Sequence, residues 1–194
     1  MMKRNGWLLL CLLPMPQALA ESGEMPLWRA LDWFRGAWSG PEIGLLGNGD
    51  STRCTEDLFD GRFMLVRTRS EVEPFAPNER SRRYDFWQVL ARDPDSGGIT
   101  LIQYESAGYH RRFELDPAAS RPDLFVFRAR FLGDAVPERA GRLTLRVLRG
   151  ERYEELLELG ESEETLDQVR RSRWQRVEPP PEACTGTLPE LPAP

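Results

Sequence analysis

The sequence predicts an all-β protein: an antiparallel up-and-down barrel of about ten strands, with a short N-terminal helix that closes one end. From Gly36 onward, groups of Gly, Pro, Asn and Asp interrupt the chain about every eight to twelve residues and leave runs of strand length between them. Several runs alternate apolar and polar residues, as strands do in a sheet with one buried face. Short sequential strands remove their unpaired edges by closing into a barrel, although a two-sheet sandwich gives a similar pattern.

Residues 1–20 have the three parts of a secretory signal peptide. Lys3 and Arg4 form a basic start, an apolar run follows over residues 7–13, and residues 18–20 read Ala-Leu-Ala, a small-x-small cleavage pattern. We therefore expect cleavage after residue 20 and a periplasmic or secreted protein.

The apolar run of this segment is far shorter than the roughly 20 residues that span a bilayer, so we expect no membrane span after cleavage. A lipoprotein anchor on Cys11 is the alternative interpretation. Leu10 precedes that cysteine, where a lipoprotein signal favours a small residue.

The mature chain is expected to form one barrel domain over residues 21–177, followed by a proline-rich tail over residues 178–194. Its 174 residues suit a single domain. Without Lys3 and Arg4 the chain has 24 basic and 31 acidic residues, a net charge of −7. This charge argues against nucleic acid and anionic lipid as partners.

The segment MPLWRALDWFRG predicts the N-terminal helix. Leu27, Leu31 and Phe34 follow helical spacing, and Gly36 is a suitable C-terminal stop. Extended stretches are expected after Gly36 and after Gly49. The segment GLLGNGDS between them is expected to be a connecting loop, with Leu45 and Leu46 near an opening of the barrel.

The remaining strands follow from alternation between turns. Phe125 and Phe127 share one face of their run, for example, whereas Arg128 and Arg130 share the other. The runs are GRFMLVRTRSEV, RYDFWQVLAR, GITLIQYES, YHRRFEL, DLFVFRARF, GRLTLRVLR, RYEELLELG and TLDQVRRSRWQRV. Adjacent carboxylates such as Glu154 and Glu155 point to opposite faces of a strand, so they do not form an acid–base pair.

Two cysteines remain after signal cleavage, Cys54 and Cys184, an even number in a chain bound for an oxidising compartment. Cys184 lies in the segment EPPPEACTGTLPELPAP, whose prolines exclude a helix or a central strand. A disulfide to Cys54 gives this tail a reason to be ordered. Two free thiols are the alternative.

The pattern Gly36-x-Trp38, placed between a short helix and the first strand, resembles the calycin superfamily of lipocalins, fatty-acid-binding proteins and nitrobindin-like barrels. In those barrels the tryptophan packs across the closed end, under a basic side chain from near the last strand. The segment RRSRWQR offers Arg171, Arg173 or Arg176 for that role. We take Gly36, Trp38 and Arg173 as the fold markers.

The resemblance implies a binding protein for one small hydrophobic molecule. The residues themselves indicate no catalytic, metal or cofactor site. Inward aromatic side chains are the candidates to line the site: Phe63, Phe86, Tyr104, Phe113, Phe125, Phe127 and Phe131. The alternative is a structural or protein-interaction domain in which the same aromatics fill the core. Sequence motifs for hydrolases or metalloproteases, such as GxSxG and HExxH, do not occur.

Haem binding is a further alternative, because nitrobindin-like barrels hold haem through an axial histidine. The chain has one histidine, His110. In the run YHRRFEL it shares a face with Arg112 and Glu114, so we expect it to point to solvent. Tyr104 and Tyr153 are the tyrosines considered as ligands in its place.

Overall fold

A computed structural model of the 194-residue chain describes residues 25–45, 47–73, 82–93, 95–106, 108–131, 140–178 and 184. Helix α1 spans Met25–Ala30 and continues as a 3₁₀ turn over Leu31–Phe34. Ten strands follow: β1 Gly36–Gly44, β2 Gly47–Leu58, β3 Phe63–Glu73, β4 Arg82–Arg92, β5 Ile99–Glu105, β6 His110–Leu115, β7 Leu124–Phe131, β8 Ala140–Leu148, β9 Arg152–Gly160 and β10 Asp167–Arg176. The eight runs predicted for β3 to β10 match these bounds to within two residues at each end.

The strands close into a single antiparallel barrel. Each strand pairs with its neighbours in sequence, and β1 pairs with β10 to complete the ring. The register of this closing pair places Trp38 opposite Arg176 at one end and Gly44 opposite Arg170 at the other. The predicted ten-stranded up-and-down barrel is confirmed, and the two-sheet sandwich is excluded.

The helix closes one end of the barrel, which we call the helix end. Leu27, Leu31 and Phe34 are buried and belong to the same hydrophobic cluster as the inward residues of the strands. The helical segment ends at Phe34, two residues before Gly36, because the backbone already turns at Arg35 into an extended conformation.

Gly36 and Trp38 lie where the 3₁₀ turn meets β1. Gly36 has φ +104°, a conformation that favours glycine, and a Cβ there would lie 2.8 Å from a guanidinium nitrogen of Arg176. Trp38 is 0% exposed, and its Nε1 donates a hydrogen bond to the carbonyl oxygen of Phe34 at 2.8 Å. The glycine therefore makes room for the side chain that covers the tryptophan.

The basic side chain over Trp38 is Arg176, not Arg173. The guanidinium carbon of Arg176 lies 4.2 Å from the centroid of the Trp38 ring. Arg173 alternates with the buried Trp174, so its side chain points outward; it is 61% exposed and bonds Glu154. The choice of Arg173 as a fold marker is thus corrected by the alternation of β10.

The segment expected to be a loop after β1 belongs largely to β2. Strand β2 begins at Gly47 and pairs in register with β1 and with β3. A Cβ at Gly49 would lie 1.9 Å from the carbonyl oxygen of Glu71, so the glycine permits a close approach of the two strands. Two residues lie between β1 and β2 in the sequence: Leu45, which is in a turn, and Leu46, which lies outside the described residues.

Cys54 and Cys184 form the predicted disulfide. Their Cα atoms are 5.2 Å apart, within the distance that a disulfide requires. Cys54 alternates with the inward Arg53 and Thr55 and therefore faces the outside of β2. An Nη atom of Arg67, the partner of Cys54 on β3, donates to the carbonyl oxygen of Cys184 at 3.5 Å. Residue 184 is thus fastened to the outer wall of the barrel.

The expected signal peptide, residues 1–20, lies outside the described residues, as does the proline-rich tail after residue 178 except for Cys184. No helix in the described part of the chain has the length and apolar character needed to cross a membrane.

Candidate ligand cavity

A cavity of about 300 Å³ lies at the end of the barrel opposite the helix. We call it the distal cavity. It is bounded by the β1–β2 turn at Leu45, by the β5–β6 turn at Ser106 and Tyr109, and by the ends of β3, β4, β9 and β10. The helix end, in contrast, is packed: the void there is about 20 Å³, too small for a ligand.

Apolar side chains form much of the cavity wall. They are Leu45, Val72, Phe86, Leu157, Leu159 and Val169. Val72, Phe86 and the two β9 leucines are buried because alternation turns them into the barrel. Leu45 sits at the tip of its turn and is largely exposed, so it lies at the rim, as expected from the sequence.

Glu42 contributes a buried carboxylate to the wall. It is 8% exposed, and its Oε2 atom lies within hydrogen-bond distance of three serine hydroxyls: Ser51 at 3.1 Å, Ser70 at 3.1 Å and Ser172 at 3.3 Å. The hydroxyls of Ser51 and Ser70 are also 2.8 Å apart. Each hydroxyl has one hydrogen to donate, and one of Ser51 and Ser70 can use it for the other. The second of this pair and Ser172 then still donate to the carboxylate, so at least two serines do so.

An ion network lies beneath the cavity, between its floor and the core. Arg53 donates to Glu155 at 2.5 and 3.1 Å and to the hydroxyl of Tyr153 at 2.9 Å. Its Nε donates to Thr68 at 2.9 Å. Arg170, which lines the cavity, donates to Oε1 of the same carboxylate at 3.0 Å. Two guanidinium groups thus share one carboxylate.

Burial and charge act in opposite directions on this network. Burial alone raises the pKa of Glu155, but the charges of Arg53 and Arg170 and the hydrogen bonds from them outweigh it and hold the pKa below its ordinary value. Burial likewise works against the charged form of Arg53, yet Glu155 and Tyr153 raise its pKa overall. Burial raises the pKa of Tyr153, so its hydroxyl stays protonated. The network is therefore ionised at neutral pH.

Aromatic rings flank both guanidinium groups. The guanidinium carbon of Arg170 lies 4.3 Å from the centroid of Phe86, and that of Arg53 lies 4.1 Å from the centroid of Trp174. Stacking on aromatic faces holds a guanidinium in one orientation and compensates part of its lost hydration.

A second polar chain crosses the wall on β4, β5 and β6. Arg111 bonds Glu105, and both line the cavity. Gln103 donates to Glu105 at 2.6 Å, and Gln88 donates to Gln103 at 3.1 Å. The charge of Arg111 is thus neutralised locally by one carboxylate.

Of the aromatic residues predicted to line a site, Phe86 alone lines the distal cavity among those whose side chains are described. Phe113, Phe125 and Phe127 are fully buried in the packed core. Phe63 and Tyr104 are 37% and 50% exposed on the outer face, because their buried neighbours Met64 and Gln103 take the inward positions. Phe131 lies in β7, and its side chain is outside the described residues.

The histidine and tyrosines considered for haem ligation do not meet in the cavity. His110 is exposed on the outer face of β6, as predicted, and stacks on Tyr104. Tyr153 is buried in the core and bonded to Arg53. None of these three residues lines the cavity, whose tyrosines are Tyr84 and Tyr109. In the described part of the chain, no three His, Cys, Asp or Glu side chains gather into a metal site.

Sequence reasoning missed the charged residues of the interior. Glu155 shares a face of β9 with Tyr153, Leu157 and Leu159, so a carboxylate within an apolar stripe was the signal that it points inward. Glu42 and Arg53 lie in β1 and β2, whose alternation is obscured by glycines and small polar residues. No sequence signal identified these two residues.

Comparison with known proteins supports the fold and goes no further. No protein-family model matches the sequence. No curated protein matches it either. The crystal structure of Rv2717c from M. tuberculosis superposes with a TM-score of 0.55 at 12% identity, covering 79% of this chain and 98% of that one. A DUF3598-family protein of unknown function from Nostoc punctiforme PCC 73102 aligns over 78% of this chain and 99% of its own, at 6% identity and a TM-score of 0.27.

Proposed function

We propose that this protein is an exported, non-catalytic binding protein that holds one small, mostly apolar molecule in the distal cavity. The observation that carries the proposal is the cavity itself, with a volume of about 300 Å³, against a void of about 20 Å³ between described residues toward the helix end. This volume lies at the lower end of the range for ligand pockets, about 300–1,000 Å³.

The composition of the wall supports binding. Ligand pockets combine an apolar surface with a few polar groups in fixed positions. In the distal cavity the apolar surface includes Phe86, Leu157 and Leu159, and the polar groups include Glu42 and Arg170. The polar groups are held by buried partners before any ligand arrives, so little side-chain entropy remains to be lost on binding.

The calycin assignment and export belong to the same proposal. A glycine, a tryptophan and a covering arginine at the helix end, Gly36, Trp38 and Arg176, match the arrangement that calycin barrels share. A disulfide is typical of proteins that work in an oxidising compartment, which agrees with a periplasmic or secreted location.

A structural or interaction domain without a ligand is the second candidate. The observation that favours it is the burial of Phe113, Phe125 and Phe127 in the packed core, where they stabilise the barrel and do not line the distal cavity. The two candidates differ in whether the distal cavity holds a small molecule when the protein is purified from its own source.

Native mass spectrometry of protein purified from its own source decides between them. A Leu157→Trp variant fills the cavity, whereas Leu156→Trp places the same ring on the outer face of the same strand. We expect a bound small molecule in the wild type and in Leu156→Trp, and none in Leu157→Trp. Val72→Phe is the second cavity-filling variant, in case Leu157→Trp does not fold. A wild-type protein that is always empty contradicts the proposal.

A further inference from the structure

The wall of the distal cavity carries two opposite charges, neither of which is neutralised by a partner of its own. Among the described residues, Glu42 accepts side-chain hydrogen bonds from serine hydroxyls only, and no cation of those residues lies within 4 Å of it. Arg170 shares the single carboxylate of Glu155 with Arg53, so this trio retains one positive charge.

The two charges are neighbours on the inner wall. The β1–β10 register places Glu42 opposite Ser172 and Gly44 opposite Arg170, so Glu42 and Arg170 occupy diagonal positions. Side chains at diagonal positions start about 7–8 Å apart, a distance that long side chains can bridge. Arg170 turns instead toward Glu155 and Phe86, which leaves the two charges separate.

Both groups retain hydrogen-bonding capacity toward a ligand. All hydrogen bonds that Glu42 accepts from the described residues reach Oε2, and none reaches Oε1. Arg170 donates to Glu155 through one Nη atom. Its Nε is buried without a partner among the described residues, so the donors available to a ligand are the remaining N–H groups of the two Nη atoms. Gly44 has no side chain to occupy the wall beside Arg170.

A buried charge without a partner is unfavourable, and a ligand that supplies the opposite charge removes that penalty. We propose that the distal cavity takes a small zwitterion that carries an ammonium group for Glu42, a carboxylate for Arg170 and an apolar body that packs on Val72, Leu157 and Leu159. A guanidinium matches a carboxylate in geometry, and a carboxylate accepts from an ammonium. This inference rests on the proposed function and specifies its ligand class.

The test is calorimetric titration with probes that share one apolar body and differ in charge. Tryptophan is the zwitterion, tryptamine the cation, indole-3-propionate the anion and 3-methylindole the neutral probe. The phenyl series built on phenylalanine repeats the test with a smaller body. We expect the zwitterion of at least one series to bind about tenfold or more tightly than its three relatives.

Two variants assign the charges. Glu42→Gln keeps an acceptor for the serines and removes the charge. We expect it to lower the affinity for tryptophan about tenfold and to leave the affinity for indole-3-propionate unchanged. Arg170→Gln is expected to weaken tryptophan and leave tryptamine unchanged. Glu71→Gln and Arg173→Gln, both at exposed outer positions, are the matched controls. They should leave the affinity for every probe unchanged.

If the neutral probe binds as tightly as the zwitterion or more tightly, and Leu157→Trp abolishes this binding, the proposed zwitterionic ligand is wrong. The proposed function is then still supported. Variants that weaken all four probes equally overturn the assignment of charges, since they indicate a structural role. If no probe of either series binds, the inference is also overturned. The proposed function is then still tested by native mass spectrometry of protein purified from its own source.

Discussion

Arg176 covers the ring of Trp38 at 4.2 Å and donates hydrogen bonds to the carbonyl oxygens of Arg35 at 2.6 Å and Trp33 at 2.9 Å. One side chain at the end of β10 thereby joins the 3₁₀ turn, the start of β1 and the last strand. This contact fastens the helix over the barrel at the point where the sheet closes on itself.

Trp38→Ala is expected to lower the free energy of unfolding by about 3–5 kcal/mol, the usual range for a large-to-small change at a packed site. Trp38 is fully buried, and it contacts Trp33 and Tyr153 through its ring. Urea unfolding of the wild type and variant measures the difference. A loss below about 1 kcal/mol would show that this position is not packed as described.

Arg176→Gln is expected to destabilise the protein by about 2 kcal/mol, since it removes the cation–π contact and two hydrogen bonds to backbone carbonyls. Arg173→Gln, three residues earlier and exposed, is the matched control, with an expected change within about 0.5 kcal/mol. Thermal unfolding of both variants gives the comparison. Equal effects would contradict the assignment of Arg176 as the cover.

Glu155→Gln is expected to destabilise the protein by about 3–5 kcal/mol, because it leaves the charges of Arg53 and Arg170 buried without a carboxylate. The neighbouring Glu154→Gln, which breaks only partly exposed pairs with Arg171 and Arg173, should cost about 1 kcal/mol or less. Denaturant unfolding measures both. The inward position of Glu155 is contradicted if the two variants lose the same free energy.

Stability is expected to fall in acid through Glu154 and Glu155. Burial raises the pKa of each carboxyl, but paired arginines outweigh it and hold both below the ordinary value of 4.5. A carboxyl with a lowered pKa in the folded state stabilises fully above about pH 4.5, and this contribution disappears as the pH falls through the folded pKa.

Unfolding free energies measured between about pH 7 and about pH 3 test this dependence. In Glu155→Gln the stability should change less steeply below about pH 4.5 than in the wild type, because one of the linked protons is absent. An identical slope in the variant and the wild type would contradict a lowered pKa at Glu155.

The disulfide between Cys54 and Cys184 predicts that a chain beginning at Glu21 shows no reactive thiol when unfolded without reductant. The bond closes a loop with a sequence separation of 130 residues, for which chain entropy sets an upper guide of somewhat over 4.5 kcal/mol. Measured gains are often smaller than this guide, so the Cys54→Ala/Cys184→Ala double variant should lose about 2 kcal/mol. Two titratable thiols per chain would exclude the bond.

Local periodicity was enough to predict the barrel. Strands such as β7 and β8 alternate apolar and polar residues, and each is bounded by turn residues, so their number, approximate ends and inward faces follow from neighbours in sequence. The same alternation placed His110 outside. Two cysteines lie outside the expected signal peptide, and this was enough to predict the disulfide, because the alternatives were few.

Tertiary structure decided which inward residues line a cavity and which fill the core. Phe113, Phe125 and Phe127 have the same inward pattern as Phe86, but they lie toward the helix end, where Leu31 and Phe34 fill the space between them. The position of an inward side chain along the barrel axis depends on strand register. The alternation within a single strand does not predict that register.

The partners of the buried charges were likewise decided in three dimensions. Arg53 and Glu155 are 102 residues apart in sequence. They meet because barrel closure pairs β1 with β10, so that these two strands alone separate β2 from β9 in the ring. The sequence by itself predicted the helix, the strands apart from the start of β2, the inward faces of strands such as β7 and β8, and the disulfide, since these depend on local pattern or on few alternatives. The cavity, its charges and the arginine over Trp38 depend on contacts between distant strands, which only barrel closure brings together.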